Sequence, residues 1–148
     1  MIAECAASLL ALVKTVPALA EKTSLSIGGR SADPGLVKIP LPAAWITFGK
    51  EESDQASFER GDPSGMVMPA QLMMATFPIT IFVPYVDDAD LIDTQFPLLS
   101  AVIAAVHNQE APTGFSWRFT GQRIALVYPD RLAYEQRYTL NRTLPLPV

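Results

Sequence analysis

The chain has 148 residues, of which 49% are hydrophobic and 18% are charged, and its formal net charge is −4. This length suits one domain whose hydrophobic core needs neither a disulfide nor a structural metal. One cysteine and one histidine exclude an ordinary Cys/His zinc site, and the acidic balance argues against a protein that mainly binds phosphate backbones. Soluble domains are typically about a quarter charged, so this chain is poor in charge for its size.

An amphipathic helix is predicted at the start of the chain. Apolar residues recur over positions 2–15 at the three- and four-residue intervals of one helical face, and Pro17 ends the run. Short strands are predicted at 24–27 and 44–48, with a connection rich in proline and glycine between them. Residues 50–75 have no regular hydrophobic period, and we expect a long irregular loop there.

Strands dominate the predicted second half of the chain. Residues 76–85 form the clearest strand, in which Pro78 and Pro84 predict a sheet edge or a bulge because proline cannot donate to a ladder. A second helix is predicted over 93–107, with Asp93 or Thr94 as its N-cap. Three further strands are predicted at 115–119, 123–128 and 134–144. The order is therefore α-β-β-(loop)-β-α-β-β-β, in one domain that spans residues 1–148.

The chemistry-bearing residues form no familiar catalytic or cofactor-binding motif. Four aspartates at positions 87, 88, 90 and 93 offer oxygen ligands for a hard cation, but they lack the glycine and the closing glutamate of an EF-hand loop. Acidic residues at the positive end of a helix dipole explain the cluster without a metal. We therefore predict no catalytic residue, metal or cofactor. Paired carboxylates of a small enzyme stay open as an alternative.

Two stretches resemble membrane or targeting segments in part. Residues 63–86 are uncharged and long enough to cross a bilayer, but they contain four prolines and their second half alternates with a period of two. Residues 5–13 are apolar like the core of a secretory signal, but Glu4 precedes them and Lys14 interrupts the run. We therefore predict neither a membrane span nor a cleaved signal.

Charge is unevenly distributed along the chain. Residues 115–148 hold five arginines and two acidic residues, a balance of +3, whereas residues 1–114 carry −7. Such a separation suits a protein that binds copies of itself, with an acidic surface of one copy against a basic surface of the next. The alternative is that the arginines solubilise an exposed sheet face.

Methionines are the second indication of a binding surface. Four of the five lie between positions 66 and 74, and flexible thioether side chains adapt to partner surfaces, although core filling is the alternative. The predicted subunit interface consists of Arg118, Arg137, Arg142, Met66 and Met68.

The layout of the whole chain resembles one protein family. The segments that carry the resemblance are the helix ending in VPAL at 16–19, the strand AWITF at 44–48, the strand ITIFV at 79–83, the helix LLSAVIAAV at 98–106 and the strand AYEQRYTL at 133–140. A variable loop follows the first strand, and an acidic turn precedes the second helix. In this arrangement the chain resembles the small tail terminator, or tail completion, proteins of long-tailed bacteriophages, including the Mu-like group.

The resemblance implies a fold, a location and a set of partners. The fold would be an α+β domain with a mixed sheet packed against two helices, assembled as a homo-oligomeric ring, commonly a hexamer. Such a ring caps the tail tube at the head-proximal end of the virion tail, stops polymerisation and provides the surface on which the head docks. Its partners would be the tail tube protein and the head–tail connector protein, and assembly would take place in the host cytoplasm.

The resemblance also gives the acidic loop an expected position. DNA would only pass through the lumen of the ring, and an acidic lining would avoid trapping it. The residues predicted to face the lumen or the tube are Glu51, Glu52, Asp54, Glu59 and Asp62. The alternatives are a neck or connector protein, another minor tail protein, or the small carboxylate-using enzyme mentioned above.

Overall fold

The structure, a computed structural model, describes residues 1–26, 40–53 and 70–145. The helices of this part are α1 (Ile2–Val13) and α2 (Asp88–Val106), with a 3₁₀ turn at Pro17–Leu19. The strands are β1 (Thr23–Leu25), β2 (Ala43–Ile46), β3 (Lys50–Ser53), β4 (Ala70–Pro84), β5 (Arg118–Val127) and β6 (Arg131–Pro145). All six belong to one mixed sheet, which confirms the predicted α+β class.

The sheet is built around two long antiparallel strands. β4 and β6 pair along their full length, from Ala70 opposite Pro145 to Pro84 opposite Arg131. The strand order is β1-β2-β4-β6-β5, and β3 pairs with β4 beside β2. β1 and β2 are parallel, and every other pairing is antiparallel. Within the described residues β5 therefore forms one edge of the sheet.

The ladder along the other side of β4 is interrupted at Pro78. In the gap between β2 and β3, the backbone N–H groups of Thr47 and Gly49 donate to the carbonyls of Pro78 and Thr76 at 2.9 and 2.8 Å. Pro78 has no N–H to donate in return, so the regular pairing of β4 on this side is interrupted at Pro78, where a sheet edge or a bulge was predicted. Gly49 approaches β4 closely, because a Cβ at this position would lie 3.2 Å from the Thr76 carbonyl oxygen.

α2 begins earlier than predicted and contains a π turn. Its N-cap is Asp87 rather than residue 93 or 94, and the Asp87 Oδ1 accepts the N–H of Asp90 at 2.7 Å. Leu91–Gln95 form the π turn, and regular α-helix follows from Phe96 to Val106. Pro97 explains the wider turn, because proline cannot donate to the carbonyl four residues earlier and its ring crowds that carbonyl.

Both helices pack on the same face of the sheet and form the main core with it. By length and composition alone α2 would also suit a bilayer, but here Leu99, Val102 and Val106 are buried in this core. The other fully buried side chains include Leu9, Val13, Phe77, Ile79, Ile81, Trp117 and Tyr138. The Trp117 indole packs edge-on against Phe77, with ring centroids 5.3 Å apart.

On the opposite face of the sheet, the described residues form a small apolar cluster near β2. Ala43, Phe82 and Ala133 are buried there, and the Trp45 ring packs edge-on against Phe82 with centroids 4.8 Å apart. This side of the sheet is therefore covered at Phe82, which is 1% exposed. Both described helices lie on the side opposite this cluster. We call the side that carries the cluster the open face.

Two predicted boundaries are wrong. Lys50–Ser53 and residues 70–75 are strand rather than irregular loop, because β6 is long enough to pair with β4 as far as Ala70. Residues 54–69 lie outside the described part. The separate strands predicted at 115–119 and 123–128 are one strand, β5, with register shifts between Phe119 and Gly121 and between Ile124 and Leu126. These bulges reset the alternation of side chains, so the sequence pattern looked like two strands.

Candidate functional site

Half of the residues predicted to act in assembly can be located. Arg118, Arg137, Arg142, Glu51 and Glu52 belong to the described strands. Met66, Met68, Asp54, Glu59 and Asp62 lie outside the described residues. The candidate site is therefore built from the strands and from α2.

Arg142 and Glu51 form an ion pair within one molecule. The Arg142 Nε donates to Glu51 Oε2 at 3.0 Å and its Nη2 donates to Glu51 Oε1 at 2.6 Å. The side chains are only 23% and 14% exposed. The bond to Glu51 raises the pKa of the Arg142 guanidinium. Arg142 was predicted at a subunit interface and Glu51 in a lumen-facing loop, but each is the other's partner, so we assign the pair to the stability of β3.

Glu52 points away from this pair. The pairing register alternates along β3, so that Glu51 faces the helices and Glu52 lies on the open face beside Met74. Its carboxylate Oε1 is 3.3 Å from Lys50 Nζ, and both side chains are well exposed. An exposed pair of this kind contributes little to stability, and both charges stay accessible to a partner.

Three arginines share the open face of β5 and β6. Arg118 and Arg123 pair in register with Thr139 and Glu135, and Arg137 is the residue between those two on the same face of β6. The Arg123 and Arg137 Nε atoms lie 3.4 and 3.6 Å from the same oxygen of Glu135. One carboxylate therefore serves two guanidinium groups. We call Arg118, Arg123 and Arg137 the arginine face, and it carries excess positive charge.

A polar notch lies at the Arg118 end of this face. Its volume is about 130 Å³ and its lining combines one guanidinium with amide and hydroxyl groups. The lining residues are Asn108, Phe115, Ser116, Arg118, Thr139 and Asn141. Guanidinium, amide and hydroxyl donors together suit a carboxylate or another small anion.

The start of α2 carries the opposite charge. Asp87, Asp88, Asp90 and Asp93 all lie within or beside its first two turns. Two large apolar residues stand among these acids, Val86 at 76% exposed and Ile92 at 60%. The Tyr85 hydroxyl donates to Asp88 Oδ1 at 2.8 Å, and this bond raises the pKa of Tyr85. We call residues 86–93 the acidic knob.

The acidic knob and the arginine face lie on opposite sides of the sheet. α2 packs on the helix side, where its Phe96 ring contacts the Tyr134 ring of β6 with centroids 6.4 Å apart. The next residue of β6, Glu135, points to the open face together with the arginines that it pairs with. Among the described residues, no ion pair joins the two charged surfaces, and Arg123 and Arg137 contact Glu135 instead.

The edge strand β5 exposes apolar side chains. Ile124 and Val127 are 53% and 70% exposed, and Leu126 is also exposed. A groove of about 280 Å³ runs between this strand and α2, lined by Phe96, Leu99, Ser100, Ile103 and Gln122. This surface was not predicted from the sequence. The run IALV at 124–127 signals a strand, but nothing in it indicates that the strand lies at an edge.

No protein-family model matches the chain, and no curated protein matches it significantly. The functional assignment therefore depends on the surfaces described above and on the layout of the chain.

Proposed function

We propose that the chain is a structural virion protein, a tail terminator of a long-tailed bacteriophage. It assembles as a homo-oligomeric ring, with a hexamer as the expected state, caps the tail tube, stops its polymerisation and provides the surface on which the head docks. Its partners are the tail tube protein and the head–tail connector protein, and DNA passes through the ring. The layout that resembles this family and the α+β fold both support the proposal.

The observation that carries the proposal is the apolar edge of the sheet. β5 is a ten-residue strand whose outer edge pairs with no other described strand. Natural monomers protect such edges with charges, prolines or a covering element, because free N–H and C=O groups attract other strands. β5 carries two arginines and two bulges of this protective kind, but Ile124, Leu126 and Val127 are exposed toward its C-terminal end. An exposed apolar sheet edge of this kind is typical of a subunit whose edge is covered by a neighbouring protein.

Sedimentation of the purified chain tests self-association. We expect a ring-sized species, visible as rings by electron microscopy, that binds to tail tubes assembled from the tube protein of the same genome. Val127→Lys should weaken that species at least about tenfold, because it places a charge on the apolar edge. Thr113→Lys, on the loop before β5, serves as the matched control. A compact monomer at all salt concentrations that ignores tail tubes would refute the proposal.

Virions made without the protein distinguish the terminator from a connector. Over-long tails indicate that the missing protein stops tube polymerisation. Tails of normal length that lack heads indicate a joining protein of the neck instead. Electron microscopy of the particles gives both readouts in one experiment.

A further inference from the structure

We propose that the arginine face of one copy binds the acidic knob of the next copy, so that each subunit contacts its neighbour through a different surface from the one the neighbour uses. The inference rests on the proposed function for the fact of self-association. It adds which two surfaces meet and the chemistry by which they recognise each other.

The arginine face has positive charge to offer a partner. Arg123 and Arg137 are 64% and 52% exposed in their side chains and share the single carboxylate of Glu135 at 3.4 and 3.6 Å. Arg118 is exposed and borders the polar notch, where no carboxylate lines the wall. Leu126 adds an exposed apolar side chain to the same face, opposite Ala133. This surface combines guanidinium groups with one apolar contact point.

The acidic knob offers the complementary combination. Its aspartates surround Val86 and Ile92, two of the most exposed large apolar residues of the described chain. Asp87 and Asp88 hold hydrogen bonds to the Asp90 N–H and to the Tyr85 hydroxyl, so the knob keeps a defined shape without a partner. An apolar contact ringed by charge pairs of opposite sign is a common arrangement at a protein interface, with the apolar part at the centre.

The positions of the two surfaces determine the kind of assembly. They are different surfaces on opposite sides of one sheet, so the contact is heterologous rather than two-fold symmetric. A heterologous contact repeats from copy to copy and generates a ring when the rotation closes. Neighbouring copies of the same chain can therefore bind both surfaces.

Charge complementarity favours this occupant over nucleic acid. A phosphate backbone would be repelled by the Glu135 carboxylate at the centre of the arginine face and by the net charge of −4 on the chain. A carboxylate-bearing knob of the same chain carries its own apolar residues and matches Leu126 as well. Binding to nucleic acid at this face is an outcome of the test below.

Charge exchange between the two surfaces tests the inference. Arg137→Glu and Asp93→Arg, made separately, should each weaken self-association about tenfold or more, as measured by sedimentation velocity over a concentration series. Both changes in one chain should return the affinity to within about threefold of the parent, because the swapped charges attract again. High salt should weaken the parent and the swapped chain alike.

Matched controls separate this contact from general effects of charge. Lys14→Glu and Glu21→Arg make the same charge changes at two exposed positions, the C-cap of α1 and the turn before β1, and they should leave association unchanged. Circular dichroism checks that each variant folds. If a reversal unfolds the chain, Arg137→Gln and Asp93→Asn replace it, with an expected weakening of about threefold.

Four results would overturn the inference. If rings form equally well with either single reversal, the inference is overturned but the proposed function still holds. A swapped chain that stays as weak as the single variants would also overturn it. If the arginine face binds a DNA duplex, with Arg137→Glu abolishing that binding but not the rings, then the face serves nucleic acid instead. A chain that is monomeric in every form removes the proposed function as well.

Discussion

Arg142 and Glu51, both predicted to act in assembly, are paired with each other within the fold. They lie 91 positions apart and form two charge-assisted hydrogen bonds at 3.0 and 2.6 Å. β3 has four residues, and among the described strands it pairs with β4 alone. The bidentate pair therefore anchors this short strand to β6 across β4, with a geometry that lysine could not reproduce.

We predict that Arg142→Met destabilises the fold by about 1–3 kcal/mol, because the Glu51 carboxylate is left largely buried without its donors. Adding Glu51→Gln should recover part of this loss, since a neutral amide costs less to bury than a carboxylate. Urea unfolding measures both variants. Arg137→Met is the control and should change stability by less than about 0.5 kcal/mol, since its side chain is half exposed and its ion pair is long. Equal effects at the two arginines would contradict the assignment.

Gln136 illustrates a residue whose face could be predicted but whose role could not. Its place in the alternating pattern of 134–144 puts it on the side of Tyr134 and Tyr138, and it is fully buried there. Its Nε2 donates to the Leu99 carbonyl at 3.0 Å and to Gln122 Oε1 at 2.7 Å, while its Oε1 accepts the Tyr138 hydroxyl at 2.7 Å. The network joins α2, β5 and β6, and only tertiary packing brings these groups together.

The position at which helix α2 begins depends on one side chain, that of Asp87. The Asp87 carboxylate accepts the Asp90 N–H at 2.7 Å, and the helix then passes through the π turn before Pro97. The sequence contains several capping residues between 87 and 94, and propensity alone does not choose among them. The choice is made by β4, whose end at Pro84 leaves three residues to reach the first helical position.

We predict that Asp87→Ala costs about 0.5–2 kcal/mol and increases amide exchange over residues 88–95, because the first turn loses its cap. Asp93→Ala removes the same charge from the same end of the helix without removing the cap bond, and it should cost less than about 0.5 kcal/mol. Thermal unfolding and hydrogen exchange give the two readouts. If the two variants lose equal stability, the effect is one of charge and the cap is unimportant.

The strands divide into those that the sequence could define and those that it could not. β4 and β6 were predicted near their observed positions because alternation over many residues is a strong signal. β3 was missed because KEES has no apolar member, and its partner β4 supplies the hydrogen bonds that make it a strand. β5 was split in two by its bulges. The strand order, and with it the exposed edge of β5, depends on long-range pairing that no local pattern contains.

At the scale of the whole molecule, the fold sorts the arginines that the sequence merely concentrates in one segment. Arg118, Arg123 and Arg137 share the open face, whereas Arg142 is turned toward the helices and paired. Arg131 contacts Asp130 at 3.0 Å and lowers the pKa of that carboxyl. With Glu51 from outside this segment counted, these arginines form one cationic patch around Glu135 and two neutral pairs, Arg131 with Asp130 and Arg142 with Glu51. Of the three arginines predicted at a subunit interface, Arg118 and Arg137 therefore lie on this patch and Arg142 does not.

Stability at alkaline pH is a property of the whole fold, because buried tyrosines lie on its central strand. Tyr138 is fully buried, and burial raises its pKa; burial also raises the pKa of Tyr134. The unfolded chain releases these phenolic protons near the ordinary tyrosine pKa of about 10, whereas the folded chain keeps them to higher pH. Stability contributed by these groups is therefore complete below about pH 10 and falls as pH rises above it.

We predict that the free energy of unfolding, measured with urea, falls above pH 10 by up to about 1.4 kcal/mol per pH unit for each buried tyrosine. Tyr138→Phe is the informative variant. At pH 8 it should be less stable than the parent by about 1 kcal/mol, since Gln136 loses a donor. Above pH 10 its curve should fall less steeply, because phenylalanine has no proton to lose, and the two curves should converge. Parallel curves would mean that Tyr138 ionises with its ordinary pKa in the folded chain, and the alkaline loss would then belong to the other titrating groups.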